Sequence, residues 1–60
     1  MAKMILTLDL DDDAIAESPT EEVPRLLRAV ACAIEQGEQL PITLRDVNGN
    51  TVGTVRIEEQ

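Results

Sequence analysis

The 60-residue chain contains no phenylalanine, tyrosine, tryptophan or histidine, and its only sulfur besides two methionines is the thiol of Cys32. Each absence excludes something. Without aromatic rings a core must be assembled from Leu, Ile, Val, Met and Ala, which bury less area per side chain. One cysteine permits no internal disulfide, and without histidine the usual zinc ligand sets are out of reach. A lone thiol also suits a reducing cytosol, so a cytoplasmic location is expected. No apolar run approaches the roughly 18 residues of a membrane span. Residues 1–10 alternate in polarity, unlike the continuous apolar block of a secretory signal. At 6.6 kDa the area scaling gives a folded surface of roughly 3,900 Å² and about 60% burial, enough for one marginal domain spanning residues 1–60. So small a body has little room for a deep substrate pocket.

Positive charge is scarce and unevenly placed. Asp9, Asp11, Asp12, Asp13, Glu17, Glu21 and Glu22 follow one another with no base between residues 9 and 22. The remaining five acids balance the five bases Lys3, Arg25, Arg28, Arg45 and Arg56, so the whole net charge of −7 belongs to this segment. Direct binding to phosphate backbones is therefore not expected. A basic protein surface is a fitting partner.

What remains is a clear apolar pattern. Met4, Leu6, Leu8 and Leu10 alternate with Ile5, Thr7 and Asp9, which predicts a half-buried strand. The aspartates after it are expected to stay solvated and extended by mutual repulsion, with Ile15 a minor core contact. Val23, Leu26, Leu27, Val30 and Ile34 form one stripe of a helix that runs from Ser18 or Thr20 to Gln36 and stops at Gly37. Ser18-Pro19-Thr20-Glu21 reads as a capping box with proline at the first helical position. Starting instead at Thr20 costs Pro24 fewer helical bonds. Residues 40–47 and 50–58 read as a hairpin around a two-residue type I′ turn at Asn48-Gly49. This register sets Val47 against Asn50, Leu44 against Gly53 and Ile42 against Val55. Gly53 then leaves room for a large helix side chain, and Pro41 marks an edge strand. The fold class is α+β, in the order β-α-β-β: one amphipathic helix on a three-stranded, mainly antiparallel sheet whose third strand is central.

No spacing carries a catalytic motif. Asp9-x-Asp11-x-Asp13 starts like an EF-hand loop, but Ala14 and Thr20 occupy the positions that need Gly and Glu. The same stretch resembles the strand-end Asp-x-Asp of haloacid-dehalogenase phosphatases, which need a far larger domain. Cys32 has no base to activate it. No enzyme activity, cofactor or metal is expected. On the helix's far side the small residues Ala29, Cys32 and Ala33 are flanked by Arg25 and Arg28, where long charged residues are usual. Arg25, Arg28, Ala29 and Cys32 are thus candidates for a homodimer interface. The outer face of the sheet is assigned Ile5, Thr7, Thr43, Arg45, Val52, Thr54 and Arg56, a mixed surface without a partner.

The ending Leu44-Arg45-Asp46-Val47-Asn48-Gly49-Asn50-Thr51-Val52-Gly53 resembles L-R-D-x-N-G-N-x-V-G in very small phage and prophage proteins. These look like this chain in order as well: an apolar strand, an acidic loop, a helix of the L-L-R-A-V-A type, then the hairpin. Pro24 within the helix departs from that pattern. The resemblance implies a non-enzymatic inhibitor of host defence, of the anti-CRISPR kind, acting in the host cytoplasm on a protein or ribonucleoprotein complex. Asp9, Asp11, Asp12, Asp13, Glu17, Glu21 and Glu22 are then the candidate contacts. The alternative is a small homodimeric assembly protein joined through the outer face of its helix.

Overall fold

A computed structural model of the chain describes residues 1–59. Two helices lie between the first and second strands: β1 (Ala2–Leu8), α1 (Asp13–Glu17), α2 (Pro19–Glu35), β2 (Ile42–Arg45) and β3 (Thr51–Glu59). The sheet order is β1-β3-β2, and both pairings are antiparallel. The third strand is central, and the α+β class expected from the pattern is the one observed. The first strand ends two residues early, because the chain turns at Leu10, which is 60% exposed.

The short helix α1 departs from the expectation of an extended acidic segment. Asp12 turns its carboxylate onto the Ile15 backbone N–H as an N-cap, and Ala16 N–H bonds to the Asp12 carbonyl. Capping outweighs repulsion here because the orphan donors of a helix start need an acceptor wherever they lie. Ile15 is fully buried, among Leu26, Val30, Leu44, Val52 and Val55. It lies at the centre of the core rather than at its margin.

In α2 the earlier of the two expected starts is the one used. Ser18 is the N-cap, Pro19 opens the helix and Pro24 sits inside it. Ser18 makes no side-chain cap bond; its backbone carbonyl instead accepts from Glu21 and Glu22 N–H. Ser18 also ends α1, and closing two helices on one residue leaves it outside the helical region (φ −142°, ψ 65°). At the other end Gly37 takes φ +87°, with its N–H on Ile34 O and the Glu38 N–H on Ala33 O. These are the two bonds of a Schellman stop. The helix is turned relative to the expected stripe. Leu26 and Val30 are buried and Val23 packs beside them, while Leu27 and Ile34 are 46% and 41% exposed. Ala33, expected outside, is half-buried. A thin sheet can cover only a narrow arc of the helix.

The hairpin corrects the turn and keeps the register. Asp46 N–H bonds to Asn50 O, and Gly49 N–H to Asp46 O. Gly49 has φ +85° and no other residue near it has positive φ. This is a three-residue loop, a type I turn closed by a left-handed glycine, and not type I′, which needs positive φ at Asn48 too. Asp46 therefore faces Asn50 where Val47 was expected. Arg45 pairs with Thr51 but Leu44 with Gly53, so Val52 is an extra, bulged residue. The bulge cancels the one-residue slip of the turn and restores the expected pairs Leu44–Gly53 and Ile42–Val55. It also swings Val52 from the expected outer face into the core, 3% exposed. Gly53 does not make room for a helix residue. A Cβ there would run into the Thr7 carbonyl oxygen and lie 3.2 Å from Leu8 Cα, so β1 is what needs the space.

Two predictions follow from this packing. Ile15→Ala should cost about 2–5 kcal/mol out of a total of roughly 3–9 kcal/mol for a chain of this length. Leu27→Ala should cost under about 1 kcal/mol, although both are large apolar residues; urea denaturation of the pair checks this, and equal losses would contradict the observed helix rotation. Gly53→Ala should lose at least about 1–3 kcal/mol, read as a lower thermal midpoint.

Candidate functional site

The seven acids from Asp9 to Glu22 lie on the turn, on α1 and on the first turn of α2. They do not act alike. Asp9 Oδ1 accepts from the Asp11 N–H at 2.9 Å, which tightens the turn out of β1. Asp12 is committed to capping α1. Glu22 forms a 2.8 Å ion pair with Arg25 one turn on. Asp9, Asp11, Asp13, Glu17 and Glu21 are exposed and form no ion pair with any base among the described residues. Five of the seven expected contacts are therefore available to a partner, on a folded ledge rather than a floppy ribbon. Asp13, Glu21 and Glu22 also lie in helical first turns, where the positive dipole ends favour them.

The outer face of α2 is as exposed as expected at Arg25, Arg28, Ala29 and Cys32. Two of its groups already have partners. Arg25 is paired with Glu22, and Cys32 Sγ accepts from the Gln36 amide at 3.3 Å.

Asp46 carried no expectation, yet among the described residues it is the one buried charged residue, 6% exposed. Its Oδ1 accepts from the backbone N–H groups of Asn48 and Asn50 at 2.9 and 2.8 Å, and Oδ2 from the Asn50 side-chain amide. A signal was present: Asp at the first position of a type I turn with Gly at the fourth is a common pattern. Asp12 reaches the same spot, so the cap of α1 and the hairpin loop meet through two carboxyls. Desolvation pushes the Asp12 carboxyl up, helped by its hydrogen bond to Asp46 and by that residue's charge, against the N–H groups of Ile15 and Ala14. Desolvation acts on Asp46 too, but the donors on Asn50, Asp12 and Asn48 outweigh it and hold Asp46 below the ordinary carboxylate value. The two carboxyls are thus pushed apart in their titration, Asp12 upward and Asp46 downward.

Among the described residues there is no pocket, no group of three side chains able to hold a metal, and no helix long and apolar enough to cross a membrane. The chain matches no family model, no curated protein and no solved structure. The most distinctive surface of the molecule is the acidic ledge.

The carboxyl pair has a definite pH signature. The depressed Asp46 contributes stability above the unfolded value of about 4, and loses it as pH falls through its folded pKa. The raised Asp12 acts oppositely, costing stability as pH rises from the unfolded value through its own folded pKa. Asp12→Asn keeps an oxygen for the Ile15 N–H and removes the like charge, so its thermal midpoint at neutral pH should equal or exceed the parent's. Asp46→Ala strips the loop of its acceptor and should lower the midpoint at neutral pH, with the gap to the parent narrowing in acid. Thermal melts of both variants across the acid range measure this, and parallel curves for parent and Asp46→Ala would refute it.

Proposed function

We propose that this chain is a non-enzymatic acidic binding protein that seats its ledge of carboxylates on a basic protein surface. The observation that carries this reading is the set Asp9, Asp11, Asp13, Glu17 and Glu21, exposed and in no ion pair among the described residues, on a folded turn–helix–helix corner. Because the backbone that carries these charges is already folded into helix and turn, a complementary surface gains the attraction without ordering that backbone. Arg/Lys grooves that normally receive phosphate are the best match, because carboxylates accept from guanidinium in the same forked geometry. Together with the resemblance of the Leu44–Gly53 ending to small phage proteins, this favours a cytoplasmic inhibitor of a host defence or nucleic-acid-handling complex, of the anti-CRISPR kind. Occupying the groove would exclude nucleic acid sterically and by charge, with no chemistry required.

The test is a tagged-chain pull-down from bacterial lysate at low salt, followed by titration of the recovered complex. Affinity for the target should fall at least about tenfold between low and several-fold higher salt, since exposed charges are screened beyond roughly 8–10 Å. Asp9→Asn/Asp11→Asn/Asp13→Asn should weaken it by a similar factor while leaving the far-UV circular dichroism of the folded chain unchanged. Salt-independent binding, or a triple variant that binds like the parent, would sink the electrostatic reading.

A further inference from the structure

The two edges of the sheet are unlike. On one side β2 is only four residues long and is preceded by Pro41, a short and blunted edge. On the other, β1 offers seven residues, Ala-Lys-Met-Ile-Leu-Thr-Leu, with no proline, no bulge and a single charge at Lys3. Among the described residues nothing pairs with that side of β1. Its open groups can be identified. The Asp9 N–H bonds to Val52 O on β3, so by alternation Lys3, Ile5 and Thr7 also turn their backbone groups toward β3. The N–H and C=O groups of Ala2, Met4, Leu6 and Leu8 point the opposite way, off the sheet.

Side chains near this edge are also incompletely covered. Met4 pairs with Ile57 across β1 and β3, on the face that carries the core residues Leu6 and Val55, yet each is 54% exposed. They lie on the extension of β1 and β3 beyond Ile42, where β2 no longer pairs with the centre. The molecule exposes 4365 Å², roughly 500 Å² more than a monomer of its mass should. Two copies thus carry an excess of about 1,000 Å², the threshold that a candidate interface has to clear and just short of the roughly 1,200 Å² of a standard specific one.

We propose that a second copy of this chain covers the edge, by antiparallel β1–β1 pairing about a two-fold axis at Ile5. In that register Met4 lies opposite Leu6 of the second copy, and Ala2 opposite its Leu8. Every open backbone group named above then finds its equivalent, in about eight hydrogen bonds. The two sheets become one of six strands. The exposed Met4 of each copy comes to rest between its own Ile57 and the partner copy's Leu6, extending the apolar row of the core face across the axis. On the opposite face Lys3 lies diagonal to Asp9 of the second copy, within reach of a long side chain. The net charge of −7 on each copy does not forbid this. Asp9 of one copy and Asp9 of the other are about 27 Å apart at 3.4 Å per residue, roughly three Debye lengths at physiological ionic strength. The match to its own copy is what selects this occupant: one strand supplies the hydrogen-bond parity, the apolar row and the opposite charges that it needs.

Sedimentation equilibrium over a wide concentration range should show a reversible dimer. Met4→Pro removes an edge-facing N–H from each copy without touching the β3 pairing, and should raise the dimer dissociation constant about thirtyfold. Met4→Lys, at a half-exposed site that any fold tolerates, should shift the equilibrium to monomer with far-UV circular dichroism unchanged. In a Cys32→Ser background, Ile5→Cys should cross-link under mild oxidation, because the non-hydrogen-bonded pair at the axis sets Cα atoms about 4.5 Å apart. Thr7→Cys in the same background should not cross-link. A monomer at every concentration overturns the proposal and leaves the edge to a strand of some other protein. A dimer indifferent to Met4→Lys and cross-linked through Cys32 overturns it in favour of the outer face of α2.

Discussion

The fold depends on Ile15 filling the space between α2 and the sheet. With no aromatic side chain to span it, that gap needs a branched aliphatic residue delivered from a third direction, and the five-residue α1 delivers it. Leu26 and Val30 reach in from the helix, Leu44, Val52 and Val55 from the sheet, and Ile15 completes the cluster with no exposure at all. Close packing gives such a cluster its stability, since each contact is weak and only the full set of neighbours makes burial worthwhile.

That demand explains features that look unrelated. The turn at Asp9–Asp12 and the cap on α1 exist to aim Ile15 inward, so the most acidic part of the chain is also the part that must fold most tightly. The Val52 bulge adds a side chain to the same cluster from a position that strict alternation would send to solvent. Gly53 beside it lets β1 approach closely enough to pair. The Asp12–Asp46 contact then ties the start of α1 to the hairpin loop, joining the two irregular segments that surround the core. Mixed in this way, structure and charge are hard to separate: Asp12 and Glu22 serve the fold, while their neighbours stay free.

How far this could be read from residues alone differs by element. The strand pattern of Met4, Leu6 and Leu8, the Gly37 stop, the central place of the third strand and the pairs Leu44–Gly53 and Ile42–Val55 were all legible, because each rests on local periodicity or on a residue with few allowed conformations. The helix start was legible only as a choice between Ser18 and Thr20, since each offers a capping residue. The turn was misread since Asn48-Gly49 satisfies two turn types, and Asp46 decides between them through its side chain. The rotation of α2 escaped because Leu26 and Leu27 are equivalent by hydropathy, and only the width of the sheet chooses between them. Of the acidic residues, membership of the ledge was legible. The partners that remove Asp12 and Glu22 from it were less so.

Sequence by itself determined the class of the protein: small, acidic, without aromatic rings or histidine, built as strand, helix and hairpin, with its net charge confined to residues 9–22. Tertiary structure alone decided that Ile15 is the centre of the core, that Val52 points inward, that Asp46 is buried and lies near Asp12, and that β1 is left with an open edge. The physical reason is range. Periodicity, capping and turn preference act over a few neighbours, whereas burial, carboxyl pairing and edge exposure depend on which distant segments finally lie side by side.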